Sequence, residues 1–188
     1  MTEKYLLCNT QVVQNILAGT QSQDRRPLKP QPREGRRCVH FDGARWYTRD
    51  ADKPGSPIDK PDWKPPYSVG DLLYVRETFY VCMDGTIVYR ADCDSGYIGW
   101  KPSIHMPKKY ARIWLEVTGV RVEQVQSISE EDARAEGCDG NDLALGDDFG
   151  DPVVPFMRYW QSLYPGSWER NEWVSVTEFK RIERTVKP

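Results

Sequence analysis

The chain has 188 residues, of which 39% are hydrophobic and 29% charged, and its net charge is −2. This length is enough for one domain with a sizeable core, and 14 glycines and 14 prolines predict much irregular backbone within it. No apolar run approaches the roughly 20 residues of a membrane span, and the N-terminus lacks the apolar core of a signal peptide. We therefore expect a cytoplasmic protein that does not enter a membrane.

The five cysteines form neither a C-x-x-C pair nor a regular framework, and their odd number argues against a disulfide scaffold. We interpret them as reduced thiols without structural zinc. The two histidines, His40 and His105, lie far apart in the sequence, which makes a histidine-based metal site an unfavoured interpretation. We expect neither a metal nor a cofactor.

The first predicted element is a short amphipathic helix at residues 11–18, with Thr10 as a possible N-cap and Gly19 as its stop. Its apolar face carries Val12, Val13, Ile16 and Leu17. The polar stretch "GTQSQDRR" follows directly and opens a basic run from Arg25 to Arg37. That run is either a solvated loop or a contact surface for phosphates.

Residues 30–66 are rich in proline and charge and nearly lack aliphatic side chains. We interpret them as an insertion in a single domain of residues 1–188, pinned by Phe41, Trp46 and Trp63.

The remaining sequence predicts strands with two further helices. "DLLYVRETFYV", "GTIVYRA", "ARIWLEVTGVRVEQV" and "EWVSVTEFKRI" are rich in β-branched and aromatic residues. A helix capped by Ser129 ends at Gly137, and a third helix runs through "VVPFMRYWQSLYPG". The apolar stripe of the third helix comprises Phe156, Met157, Trp160, Leu163 and Tyr164. The pattern predicts an α+β fold built on a small mixed β-barrel.

Several stretches carry a family resemblance: "ILAGTQSQDRRPLKPQP", "YSVGDLLYVRETF", "YRAD", "WKPSIHMPKKYARIWLEVTGVRVEQVQSISEEDARAEG" and "GSWERNEWVSVTEFKRI". Together they resemble the ASCH family, in the branch found in phages and prophages, whose fold is similar to PUA domains. The resemblance implies a PUA-like mixed β-barrel with short flanking helices and a cleft for RNA, DNA or a nucleobase. One group of small relatives hydrolyses the acetyl amide of N4-acetylcytidine with a lysine, a threonine and a glutamate.

Carried over to this sequence, the lysine of those relatives falls on Gln21, the threonine on Asp24 and the glutamate on Glu136. Glutamine is no base, and aspartate lacks the hydroxyl of threonine, so the mechanism of the relatives does not transfer unchanged. Asp24 and Glu136 together form a candidate carboxylate pair that activates water. The alternative is that Asp24 pairs with Arg25 or Arg26 and that Glu136 is solvated. In the binding interpretation, Gln21 reads a base edge, while Arg25 and Arg26 meet phosphate or brace the cleft wall.

Other candidate ligand contacts lie in the strands and loops. Arg76 and Glu77 are adjacent in an apolar strand, so one of them must face the interior, as an internal ion pair or as a ligand contact. Ser103 and His105 lie between two prolines in a predicted extended lip. A base-stacking platform has four candidates: Trp46, Trp63, Tyr97 and Trp100.

Three functions follow as hypotheses. The leading one is recognition of a nucleotide, or of a single-stranded or modified nucleic acid, in the barrel cleft. The alternatives are an amidohydrolase acting on an acylated cytosine nucleoside and a protein-interaction module acting on a host factor. The expected partner is nucleic acid or a nucleoside ligand, and the sequence leaves the oligomeric state open.

Overall fold

The structure is a computed structural model that describes residues 2–32, 36–41, 46–50, 64–93, 99–139 and 150–184. The strands are β1 (Glu3–Leu7), β2 (Gln23–Pro27), β3 (Arg36–Phe41), β4 (Trp46–Asp50), β5 (Leu72–Arg76), β6 (Phe79–Val81), β7 (Ile87–Tyr89), β8 (Trp114–Gln124) and β9 (Trp173–Ile182). The α-helices are α1 (Thr10–Ala18), α2 (Glu130–Ala135) and α3 (Val153–Leu163). No helix in these ranges has the length and apolar character that crossing a bilayer requires.

Five strands form one mixed sheet in the order β1-β5-β8-β9-β2. β1 runs parallel to β5, and every other neighbouring pair is antiparallel. The strands β3 and β4 form a separate ribbon, as do β6 and β7. The edge strands β1 and β2 approach each other, because Arg26 Nη2 donates a hydrogen bond to Leu7 O at 2.7 Å. No backbone pairing joins these two edge strands in the described part of the chain. The predicted α+β class is confirmed.

One face of the sheet packs against α1. Leu6 of β1, Leu73 of β5 and Leu115 of β8 have no exposed surface and share a cluster with Val13 and Ile16 of α1. Each of these buried leucines contributes roughly 1.5–3 kcal/mol of burial free energy. Because side chains alternate along a strand, the residues directly before and after each of these leucines have their side chains on the opposite face of the sheet.

A second core joins α3 to β9 and α2. Phe156 and Trp160 are buried there against Val176 and Ala133. The burial of Phe156 and Trp160 confirms these two residues of the apolar stripe predicted for α3. The stripe is wrong at Leu163, which is 46% exposed because it is the last residue of α3.

The helix ends follow local chemistry. Asn9 is the N-cap of α1, since its Oδ1 accepts a hydrogen bond from Val12 N at 2.9 Å, and the predicted cap Thr10 is already helical. Gly19 ends α1 with a φ of 78°, as predicted. Ser129 caps α2, also as predicted.

The strand predictions held unevenly. The stretch predicted as one strand from Asp71 divides into β5 and β6, while β1 and β2 had no counterpart among the predicted elements. The ribbon of β3 and β4 lies within the predicted insertion at 30–66, and Trp46 is half-buried there. Trp63 lies outside the described residues, and the division into one domain with an insertion stays a prediction.

Candidate functional site

A cavity of about 850 Å³ opens between α1, the loop after it, the end of α2 and the start of α3. We call it the cleft. Its lining comprises Gln11, Val12, Asn15, Ala18, Thr20, Gln21, Arg134, Glu136, Gly137, Cys138, Asp139, Pro155, Arg158 and Tyr159. Two predicted site residues, Gln21 and Glu136, thus line the same cavity, and they are also joined by an isolated antiparallel bridge. The volume lies within the range of about 300–1,000 Å³ that is usual for ligand pockets.

Gln21 holds an unused hydrogen-bond acceptor inside the cleft wall. The residue is 6% exposed, and its Nε2 donates to Gln23 O at 2.9 Å. That bond fixes the orientation of the amide, because a flipped amide would place two oxygens against each other. Oε1 is buried without a hydrogen-bond partner among the described residues. Leaving such an acceptor unpaired costs about 1–3 kcal/mol.

Arg25 lies behind the cleft wall at the centre of a carboxylate cluster. Its fully buried guanidinium pairs with Glu136 at 2.7 Å, Glu123 at 2.9 Å and Asp132 at 3.1 Å. Arg25 is not among the residues that line the cleft, and its Nη1 and Nη2 are paired with carboxylates. Of the two roles considered for Arg25, the geometry matches bracing the wall rather than meeting phosphate.

Glu136 is the carboxylate of the cleft. Its side chain is 8% exposed and accepts a hydrogen bond from Arg25. Burial raises the pKa of Glu136 to about 7, the attraction of Arg25 opposes this, and the charge of Asp24 adds to it. The group therefore changes charge near neutral pH, which is the range in which a general base operates.

Asp24 takes part in a separate buried ion pair. Its Oδ2 lies 2.7 Å from Arg26 Nε, and its side chain is 13% exposed. Burial raises the pKa of Asp24, while the charge and hydrogen bond of Arg26 oppose the rise. Among the described residues, Asp24 is not one of those that line the cleft. The expected pairing of Asp24 with Arg26 is thus present, and its action with Glu136 on a water stays a prediction.

Glu77 and Arg76 point to opposite sides of their strand. Glu77 is 1% exposed and pairs with Arg112, whose Nε and Nη2 each lie 2.9 Å from a carboxylate oxygen. Burial raises the pKa of Glu77, and Arg112 opposes that rise. Arg76 instead lies 5.0 Å from the ring centroid of Tyr5 and donates to Ile104 O. The internal ion pair therefore exists, with Arg112 as a partner that sequence reasoning missed.

Trp100, Ser103 and His105 lie on the segment between β7 and β8. Trp100 lies 5.3 Å from the guanidinium of Arg90 and packs edge-on against Tyr80. Ser103–His105 form a short 3-10 helix, so the predicted extended lip is wrong here, because His105 N donates back to Pro102 O. Ser103 is half-buried, and His105 is exposed. Their neighbour Ile104 meets Arg76, so these residues belong with Arg76 and not with the cleft.

The predicted site residues thus fall into two groups on different sides of the sheet. Some candidates cannot be placed, because Arg33, Trp63 and Tyr97 lie outside the described residues, as do the side chains of Arg36 and Arg37. Phosphate contact by that basic run stays a prediction. In the described part of the chain, no cluster of three or more histidine, cysteine or acidic side chains is arranged to hold a metal.

Sequence reasoning also missed two contacts that hold the helices around the cleft. Gly137 has a φ of 87°, and a Cβ there would lie 2.3 Å from Asn15 Nδ2, so α2 closes tightly on α1. Asn9 Nδ2 donates to Tyr159 OH at 2.8 Å and ties α1 to α3. The glycine after a short helix was the available signal, but it indicated only a helix stop.

No family model matches the chain, and no curated protein matches it. One similar solved structure is the ASCH domain from Lactobacillus crispatus JV V101, with a TM-score of 0.40 and 14% sequence identity. The match covers 96% of this chain and 78% of that one. At this level of similarity the comparison carries no conclusion about function, and the site has to be judged by its own geometry.

Proposed function

We propose that the chain is an ASCH-type, PUA-like nucleic-acid-binding domain, of the phage branch that its motifs resemble, and that the cleft holds one nucleoside of its ligand. The lining of the cleft carries this proposal: a cavity of about 850 Å³ is surrounded by amide, aromatic and cationic side chains, and Gln21 supplies one of the amides. A base offers N–H donors on its edge, and an acceptor held in fixed orientation recognises such a donor with little loss of side-chain entropy.

The rest of the cleft supports the same ligand class. Asn15 and Gln11 add amides that can pair with base or sugar groups, and Tyr159 adds an aromatic ring. Arg134 and Arg158 bring positive charge to the lining, which favours an attached phosphate. Amides, an aromatic ring and cations are the groups that recognise a nucleotide.

Calorimetric titration with a panel of unmodified nucleosides, nucleoside monophosphates and N4-acetylcytidine tests the proposal. Gln21→Met keeps the side-chain size and removes the acceptor, so we expect about tenfold weaker binding of the preferred ligand. Gln14→Met is the matched control, because Gln14 is a glutamine of α1 that is exposed and donates to Ala91 O. Equal affinities of the Gln21 variant and the wild type, or no binding across the panel, would refute the proposal.

One observation favours amide hydrolysis as a second candidate. Glu136 lines the cleft with a pKa near neutrality, as a general base requires. Against it, Asp24 pairs with Arg26 and is not one of the residues that line the cleft, whereas Glu136 and Asp139 are. Turnover of N4-acetylcytidine that Glu136→Gln abolishes, with binding retained, would establish the enzyme. If the protein neither binds nor turns over any nucleoside, the interaction-module hypothesis gains.

A further inference from the structure

A row of aromatic side chains crosses three strands on the face of the sheet opposite α1. Tyr5 of β1 pairs in register with Tyr74 of β5, which pairs with Trp114 of β8. The ring centroids of Tyr5 and Tyr74 lie 6.1 Å apart, and those of Tyr74 and Trp114 lie 5.8 Å apart. The rings are tilted, and Tyr5 at 47% exposure presents most surface to solvent, whereas Trp114 is nearly covered. We call this row, with the cations above it, the outer face.

Three cations lie over the row. Arg76 lies 5.0 Å from the centroid of Tyr5, and Arg184 lies 4.2 Å from that of Trp114. Lys108 lies between them, 5.9 Å from Tyr74 and 5.7 Å from Trp114. Lys108 and Arg184 remain 50% and 39% exposed, so their charged ends are within reach of a ligand.

A single carboxylate holds two of these cations. Glu3 accepts a hydrogen bond from Lys108, and its Oε1 lies 2.7 Å from Arg184 Nη1. The two bonds hold the pKa of Glu3 below its ordinary value, so it is an anion at neutral pH. Glu3 therefore occupies the position between two cations that the phosphate of a ligand would take.

We propose that the outer face binds single-stranded nucleic acid, independently of the cleft. An unpaired base stacks on Tyr5 beside Arg76, and the adjacent phosphate displaces Glu3 from Lys108 and Arg184. A duplex keeps its bases stacked inside the helix, whereas an unpaired base is free to stack on an exposed ring such as Tyr5. By register, Glu116 also lies on this face, where it pairs with Lys180, so the cations still outnumber the carboxylates, as suits a polyanion.

The test measures fluorescence anisotropy of dye-labelled oligothymidylate and oligouridylate of about ten nucleotides, a length within the usual single-strand site size. Tyr5→Leu removes the ring and is expected to weaken binding about tenfold, while Tyr5→Phe retains it. Leu163→Ala is the control, because Leu163 is 46% exposed at the end of α3 and should leave affinity unchanged. Thermal melting of each variant verifies that the fold is intact.

The decisive variant is Glu3→Gln. If Glu3 stands where a phosphate binds, removing its charge strengthens oligonucleotide binding, whereas a merely structural ion pair gives no such gain. Unchanged or weaker binding by Glu3→Gln would overturn the proposal. So would a full affinity of Tyr5→Leu, or a wild type that binds neither oligonucleotide. Loss of binding in Gln21→Met alone would assign the strand to the cleft instead.

Discussion

The cleft and the outer face hold their charges in opposite ways. Behind the cleft, the side chain of Arg25 is fully buried and pairs with three carboxylates, so its charge is compensated within the fold. On the outer face, Lys108 and Arg184 are half-exposed and share one carboxylate. Buried, paired charges fix the shape of a cavity, whereas exposed charges stay available to a polyanion. We therefore propose different roles for the two regions: the cleft recognises a base by its amides, and the outer face attracts a strand by its charge.

The largest expected effect is the loss of stability when Arg25, behind the cleft, is replaced. Arg25→Met leaves Glu136 without its cation, while the other two carboxylates of the cluster keep Arg121. Removing one partner of a buried ion pair costs about 3–5 kcal/mol. We expect a loss of that size in the free energy of unfolding, measured by urea denaturation. Arg134→Met, which removes an exposed pair with Glu130, is the control and should cost under about 1 kcal/mol. If both variants lose equally little, Arg25 does not brace the cleft.

The second effect is a pH dependence. The folded-state pKa of Glu136 is about 7, above its ordinary value of 4.5, so the folded protein retains a proton that the unfolded chain releases. The stability from Glu136 is therefore complete below the unfolded pKa, and it falls as pH rises towards the folded pKa. The glutamine side chain in Glu136→Gln is neutral at every pH, so this variant does not lose stability in that way as the pH rises.

The measurement is the difference in unfolding free energy between wild type and Glu136→Gln. It should shift by about 3 kcal/mol in favour of the variant between about pH 4.5 and pH 8. Glu130→Gln, at an exposed carboxylate, should show no comparable shift. A difference that does not change with pH would mean that Glu136 titrates as an ordinary glutamate.

How much of the site the sequence predicts depends on how far apart along the chain the interacting residues lie. Helix ends such as Gly19 and Ser129 are set by neighbouring residues, so local patterns located them correctly. Strand β2 escaped prediction because its polar side chains are buried by ion pairs and not by apolar packing. The partner of Glu77 lies 35 residues away, at Arg112, and no local spacing encodes such a pair. Motif resemblance brought Gln21 and Glu136 together, since it carries long-range information that periodicity lacks.

A third prediction concerns the close contact between Gly137 and Asn15 in the wall of the cleft. Gly137→Ala must accept both a positive φ and a Cβ 2.3 Å from Asn15 Nδ2, whereas Gly85→Ala meets only the positive φ in open space. The φ strain costs about 1–2 kcal/mol in each variant. We expect Gly137→Ala to lose more stability than Gly85→Ala and to weaken nucleoside binding, because Asn15 must move. Equal losses in thermal melting would mean that α1 and α2 are not in close contact.

The smallest effect concerns the link between α1 and α3. Asn9→Ala removes both the cap of α1 and the hydrogen bond to Tyr159, and loss of a cap costs about 1 kcal/mol. Asn9→Ser keeps a capping oxygen, and its side chain is too short to reach Tyr159. Chemical denaturation should therefore rank Asn9→Ala below Asn9→Ser and both below wild type. Equal losses in the two variants would show that the cap contributes no measurable stability.

The salt dependence of oligonucleotide affinity tests the division between the two regions most directly. The measurement compares wild type, Gln21→Met and Lys108→Gln on oligonucleotides that differ in one base. The account predicts that Lys108→Gln lowers the slope of log affinity against log salt by about 1 and keeps the base preference. It predicts that Gln21→Met keeps the slope and loses the base preference. A base preference that depends on Lys108, or a salt slope that depends on Gln21, would contradict it.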